Sequence, residues 1–187
     1  MALKGEIRTK IGTNNLYDLW IEWAVNSQNI AERISNITVT MKACRNDGNA
    51  SAGAFNNAGN NSISLWVGEE ADGTDITRFS TGTANIDLRT TTGTTLATWT
   101  GDVPHDSNGE LHLLMKGAFY FAATGAASLP QGTYSVAEYV EIDPIRGLVR
   151  IHNGTEWETY QAYIHNGTEW ELYEPYVHNG TNWGACT

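Results

Sequence analysis

The sequence of 187 residues predicts an all-β chain on three observations. Apolar and polar residues alternate with period 2 in run after run. Gly, Asn, Thr and Ser gather between the runs. No Leu/Glu/Lys-rich stretch carries a helical heptad. One further feature divides the chain. Ile151-His152-Asn153-Gly154-Thr155-Glu156-Trp157 returns as Ile164-His165-Asn166-Gly167-Thr168-Glu169-Trp170 and again as Val177-His178-Asn179-Gly180-Thr181-Asn182-Trp183, each time 13 residues on. A short repeat at fixed spacing marks a structural unit. Residues 1–146 are therefore read as one domain and 147–187 as a tail of three hairpin repeats.

The strands follow in order. Lys4–Ile11 is the first. In the second, Leu19, Ile21, Trp23 and Val25 share one face while Glu22 and Ala24 take the other. In the third, Ile37, Val39, Met41 and Ala43 oppose Asn36, Thr38, Thr40 and Lys42. Segments 63–67, 84–89 and 95–100 add three more. Leu111, Leu113, Met115, Phe119 and Phe121 share parity, as do Tyr134, Val136, Val140 and Ile142, which completes about eight strands. Strands with one apolar face each bury it by packing two sheets face to face, so an immunoglobulin-like β-sandwich is expected, with a barrel as the alternative.

Between the strands, 45–61 has no periodicity and reads as a mobile surface loop, functional or merely tolerated. The acidic turn 68–75 is rich in oxygen ligands but lacks the ligand order of a calcium loop, so a solvated hairpin is preferred. Asn108-Gly109 is placed to reverse the chain into the Leu111 strand. His105 sits in that same turn chemistry and is read as a turn residue before a ligand. Pro144 stops the last ladder and Gly147 supplies a joint.

Eleven basic against 21 acidic residues leave a net charge of -10. With no basic stripe to neutralise phosphates, a nucleic-acid partner is excluded and anionic membranes are disfavoured. No apolar run approaches the ~20 residues that span a bilayer, and the first residues carry no apolar signal core, so a soluble protein without membrane insertion is expected. Cys44 and Cys186 fit a reducing cytosol better than a disulfide between them. His105, Asp106, Ser107 and His112 contain the letters of a catalytic triad without a nucleophile elbow or metal-ligand spacing, so no enzyme and no cofactor are expected.

In the tail, Asn166-Gly167 taken as a two-residue type I′ turn pairs His165 with Thr168, Ile164 with Glu169 and Tyr163 with Trp170. The same register sets Tyr176 against Trp183 and Arg150 against Trp157. The tail holds seven of the 19 aromatic residues, with five Glu against one basic residue. Such aromatics build a small core or offer rings to sugars; the core reading comes first. If a ligand binds, Trp157, Trp170, Trp183, Tyr163 and Tyr176 are its candidate residues. A three-fold assembly would gather copies of His152, His165 or His178 around an axis as metal ligands, but no second ligand type recurs beside them, so cross-strand positions are preferred. Isolated hairpins are marginal in water, which implies a homo-oligomer, with a trimer favoured. The Asn-Gly-Thr triplets match a glycosylation acceptor only through turn chemistry.

Leu19-Trp20-Ile21-Glu22-Trp23, the turn Pro104-His105-Asp106-Ser107-Asn108-Gly109 and the close Val140-Glu141-Ile142-Asp143-Pro144-Ile145-Arg146 resemble the immunoglobulin-like domain of minor structural proteins from tailed phages of Gram-positive bacteria. That family's turn typically reads His-Asn-x-x-Gly and its close ends in Ile-Pro-Arg; here Arg146 follows Ile145 directly. The tail is similar to the [IV]-[DH]-N-G-[ST]-x-W repeats of phage and prophage tail-associated proteins. The resemblance implies a virion component assembled in the bacterial host cytoplasm, partnered by other virion structural proteins and, at the host-facing end, by a cell-surface glycan. It brings no catalytic residues. The alternative is a carbohydrate- or cell-wall-binding module that uses the Trp and Tyr of the tail.

Overall fold

The computed structural model describes residues 3–48, 54–68, 77–90, 92–123, 128–145, 148–173, 176–178, 181 and 183–185, with the side chains of 55–60, 77–84, 148, 150, 159, 176–178 and 183–185 left aside. The chain is all-β, as its alternation predicts. Strands β1 (Lys4–Ile11), β2 (Tyr17–Asn29), β3 (Ile34–Arg45) and β6 (Thr94–Pro104) form one antiparallel sheet in the order β1-β2-β3-β6. Strands β4 (Phe55–Gly68), β5 (Thr77–Asp87), β7 (Leu111–Phe121) and β8 (Gly132–Ile142) form the other, in the order β5-β4-β7-β8. The chain changes sheet between β3 and β4, between β5 and β6, and between β6 and β7. Among the described residues no edge strand of one sheet pairs with an edge of the other, so two separate sheets form and not the barrel alternative.

The alternation read from sequence is the alternation of burial. Leu19, Ile21, Ile37, Val39, Met41 and Ala43 of the first sheet join Ile63, Leu65, Leu111, Leu113, Met115 and Phe119 of the second in one buried cluster. Trp23 and Val25 pack on its margin. The layers approach closely at Gly117, where an added Cβ would stand 2.8 Å from Met41 Sδ. Outward residues bond along the surface instead. Thr38 meets Thr100 at 2.9 Å, Asn36 donates to Asp102 at 2.6 Å, and the Arg8 guanidinium lies 4.3 Å above the Trp20 ring.

One expectation needs correction, one turn forms where it was read, and two fall elsewhere. The aperiodic segment 45–61 is not a loop throughout, since 55–60 already belong to β4. Ala54 and Asn61 are buried; Asn61 Oδ1 accepts the Ala122 N–H at 2.9 Å, which is why a polar stretch can enter a strand. The turn at Asn108-Gly109 does reverse the chain, with Gly109 at φ +78°, but it carries the chain from one sheet to the other. Asp106 Oδ1 holds it by accepting the N–H groups of Asn108 and Glu110, both at 2.8 Å. Residues 69–75 of the acidic turn and Cys186 lie outside the described residues. Cys44 is buried and free.

After Ile142 the chain makes three separate two-stranded antiparallel hairpins. They pair β9 (Leu148–His152) with β10 (Trp157–Gln161), β11 (Tyr163–His165) with β12 (Trp170–Leu172), and β13 (Tyr176–His178) with β14 (Trp183–Ala185).

Candidate functional site

The repeat folds with a longer loop than a type I′ turn. Asn153-Gly154-Thr155-Glu156 form a four-residue connection closed by the Asn153 N–H donating to the Glu156 carbonyl at 3.0 Å. Asn153 Oδ1 accepts from the N–H groups of Thr155 at 2.9 Å and Glu156 at 3.0 Å. The Gly154 N–H, at φ +103°, donates to His152 Nδ1 at 3.1 Å. The second copy repeats the set at Asn166, Gly167, Thr168, Glu169 and His165 with the same distances. Asn side chains that bond their own following backbone stabilise this wider turn.

The longer loop shifts the register by two residues along each hairpin. His152 faces Trp157, His165 faces Trp170 and His178 faces Trp183. The expected pairs Tyr163 with Trp170, Tyr176 with Trp183 and Arg150 with Trp157 therefore do not form. Tyr163 faces Leu172, Tyr176 faces Ala185 and Arg150 faces Thr159. In the first two hairpins the tryptophan meets an imidazole edge-on: His152 and Trp157 centroids are 5.2 Å apart at 73°, His165 and Trp170 5.0 Å apart at 75°.

Among the described residues the side chains of the first two hairpins build no internal core, against the first reading of the tail. Trp157 is 59% exposed, Trp170 69% and Tyr163 54%. Ile151, Tyr160, Ile164 and Tyr173 are exposed as well. Short hairpins of this kind have too little second face to cover them. The side chains of Trp183, Tyr176 and His178 lie outside those described. Next to Trp157 in the chain, Glu158 accepts from the Tyr160 hydroxyl and the Asn153 amide, which hold its carboxyl below the usual carboxylate range.

His152 and His165 spend Nδ1 on a backbone N–H, which makes them turn-locking residues. No group of three or more His, Cys, Asp or Glu suited to a metal ion occurs among the described residues. No helix among them is long and apolar enough to cross a membrane.

The letters singled out as a triad do not assemble. His112 lies on the surface near Glu110 and Glu141. His105 instead pairs with Ser35, a residue that sequence reasoning missed because it lies on β3. His105 Nδ1 is 2.8 Å from the Gly109 carbonyl, an acceptor only, so Nδ1 carries the proton and Nε2 accepts from Ser35 Oγ at 2.7 Å. Ser35 Oγ in turn accepts from Gln28 Nε2 at 3.2 Å. Ser35 has no exposed surface, so this serine and histidine tie the start of β3 to the turn after its sheet neighbour β6, and the hydroxyl is shut away from solvent.

An open cleft of about 510 Å³ lies along β1, β2 and β3, lined by Lys4, Glu6, Glu22, Trp23, Thr38 and Thr40 among others. Sequence reasoning did not single it out. Trp23 lies against Gly5, where an added Cβ would come within 2.4 Å of the indole, and its Nε1 is buried without a hydrogen-bond partner.

No protein-family model matches this chain, and no curated protein is significantly similar to it. The functional reading therefore rests on the residues themselves. The hairpin tail is the candidate site, because there large apolar side chains stand exposed in a repeated geometry.

Proposed function

We propose that this chain is a non-enzymatic structural protein of a phage-type particle, and that its hairpin tail is a contact surface of the assembled particle. The supporting observation is the recurrence of one exposed unit: an indole braced edge-on by an imidazole, above a loop whose polar groups satisfy each other. A unit that spends its His, Asn and Gly on holding its own shape leaves the tryptophan as the group offered outward. Exposed Trp and Tyr are the residues that dominate contact energies at interfaces. Copies of the same chain, as a trimer, and other virion proteins are the first partners, with the assembled virion as the location. A host-surface glycan is a further partner.

The two four-stranded layers are read as the docking module, in an immunoglobulin-like arrangement. The order β2-β3-β6 across from β5-β4-β7-β8, with crossings after β3, β5 and β6, supports that reading, and β1 is then an added edge strand. The strong negative charge supports the exclusion of nucleic acid from the partners. Purified intact particles from a host carrying this gene provide the test. The polypeptide is expected among their constituents by mass spectrometry, and its absence from them overturns the reading.

A second reading is favoured by the exposure of Trp157 and Trp170. Open indole faces stack on the apolar faces of pyranose rings, so a carbohydrate- or cell-wall-binding module is the alternative. Glycan-array binding that is lost in the Trp157→Ala, Trp170→Ala variant supports it. No binding to any cell-wall fraction counts against it.

A further inference from the structure

The loops of the repeat place an amide carbon among groups that suit its chemistry. In the first loop, Asn153 Oδ1 accepts two backbone N–H groups at 2.9 Å and 3.0 Å, while Nδ2 donates to Glu158. The next backbone nitrogen, that of Gly154, has its proton 3.1 Å (nitrogen to nitrogen) from the base His152 Nδ1. The second loop repeats the arrangement: Asn166 Oδ1 with Thr168 and Glu169, Nδ2 with Glu171, and the Gly167 N–H on His165 Nδ1 at 3.1 Å.

We propose that Asn153 and Asn166 are sites of self-catalysed deamidation, with His152 and His165 as the bases. The Gly154 nitrogen attacks Asn153 Cγ and closes a five-membered imide, and its proton passes to His152 Nδ1. Negative charge developing on Oδ1 falls between the two N–H groups that already point at it, so no donor has to reorganise during the step. The Cγ–Nδ2 bond then breaks with its electron pair on nitrogen. That nitrogen regains the proton from the imidazolium through solvent and leaves as ammonia. Water opens the imide at either carbonyl, which yields aspartate or isoaspartate, and nothing is oxidised or reduced.

Glycine after the asparagine is what the step requires. At φ +103° and +102°, Gly154 and Gly167 hold a backbone that other residues rarely adopt, and a Cβ added at either would meet nothing within 4 Å, so solvent reaches the ring as it forms. Holding nucleophile, base and oxyanion donors in one loop replaces encounters that an unfolded chain must make by chance. Each conversion adds a carboxylate to the hairpin. The isoaspartate product also adds a backbone methylene, which breaks the four-residue register that sets His152 against Trp157 and His165 against Trp170. The modification therefore alters the exposed tryptophans of an ageing molecule.

The test is peptide mapping by mass spectrometry of the full chain held at neutral pH, natively and in urea. Asn153 and Asn166 are expected to convert faster in the native chain than in the unfolded one. His152→Phe and His165→Phe should slow their own loops by roughly a hundredfold, the lower range of a general-base contribution. Asn153→Gln and Asn166→Gln supply the blanks. Because a histidine variant can also disturb the loop, the pH profile of the unaltered protein is measured too. Catalysis by imidazole requires a rate that levels off once the imidazole is neutral. Native loops that keep their amides as long as the unfolded chain does, or a rate that rises in proportion to hydroxide throughout, overturn the proposal.

Discussion

Ser35 Oγ and His105 Nε2 lie 2.7 Å apart inside the protein, joining the start of β3 to the turn after β6. The bond orders a chain of polar groups. Gln28 donates to Ser35, Ser35 donates to His105, and His105 donates to the Gly109 carbonyl. The Gly109 carbonyl also accepts the Ile145 N–H at 2.8 Å, so the same point anchors the segment after β8. This direction of donation requires a neutral imidazole, because a protonated Nε2 has no lone pair with which to accept from Ser35.

Burial, the largest cause, lowers the His105 pKa from its ordinary 6.5. The unfolded chain therefore binds a proton at a pH where the folded one does not, and stability rises with pH through that interval. Full stability is expected above pH 6.5. It should fall as the pH drops below that value and stop falling, for this group, once the folded imidazole itself is protonated. Thermal unfolding across this range should show the loss, and His105→Asn should flatten it. Ser35→Ala is expected to cost about 1–3 kcal/mol at neutral pH, since it leaves buried polar groups without a partner.

Tyr17 is a second tie. Its hydroxyl accepts the Ala54 N–H at 2.9 Å and lies 2.9 Å from Ser128 Oγ, joining β2 to the entry of β4 and to the approach to β8. Tyr17→Phe keeps the buried ring and orphans the Ala54 N–H. A loss of about 1–3 kcal/mol is expected in denaturant unfolding with an unchanged slope.

Gly117 is where the layers touch, with Met41 Sδ 2.8 Å from the position of an added Cβ. Gly117→Ala should destabilise by about 1–3 kcal/mol through overpacking. Methionine is flexible enough to yield in part. A paired Met41→Val change should recover some of the loss, and a double-mutant cycle measures the coupling.

The hairpins should respond separately from the layered domain, since none of their described side chains joins the buried cluster. Gly154→Ala and Gly167→Ala place a side chain at φ +103° and +102°, a strain of about 1–3 kcal/mol confined to the loop. Loss of ring-current-shifted His152 and His165 signals is expected in NMR spectra, with the main thermal transition unmoved. A common shift of both would mean that the tail is part of the domain's cooperative unit.

The strands were legible because burial on one face imposes period 2. Ile37, Val39, Met41 and Ala43 announce β3 without any structure. The strand portion 55–60 was not legible, because no alternating apolar residues mark it and Asn61 enters β4 through a hydrogen bond to Ala122, a residue distant in sequence. In the tail, Asn-Gly correctly marks a reversal, but the two-residue turn read from it is two residues too short. The same letters serve a two-residue turn or a four-residue loop closed by the Asn side chain. That choice decided whether tryptophan met tyrosine or histidine, and the exposed tryptophans followed from it.

Alternation, turn residues and the repeat thus settled the all-β class, the inward faces of β2, β3, β7 and β8 and the place of the hairpins, because these depend on neighbours within a few positions. Partners across the fold were decided only when the layers closed. Ser35 with His105, Tyr17 with Ala54 and Ser128, and Gly117 with Met41 are separated by long stretches of chain, and each is fixed by which strand crosses to which layer. The tail shows the same division at small scale: its motif specifies a turn, while its loop geometry sets an imidazole against each described indole and leaves that indole open to whatever it meets.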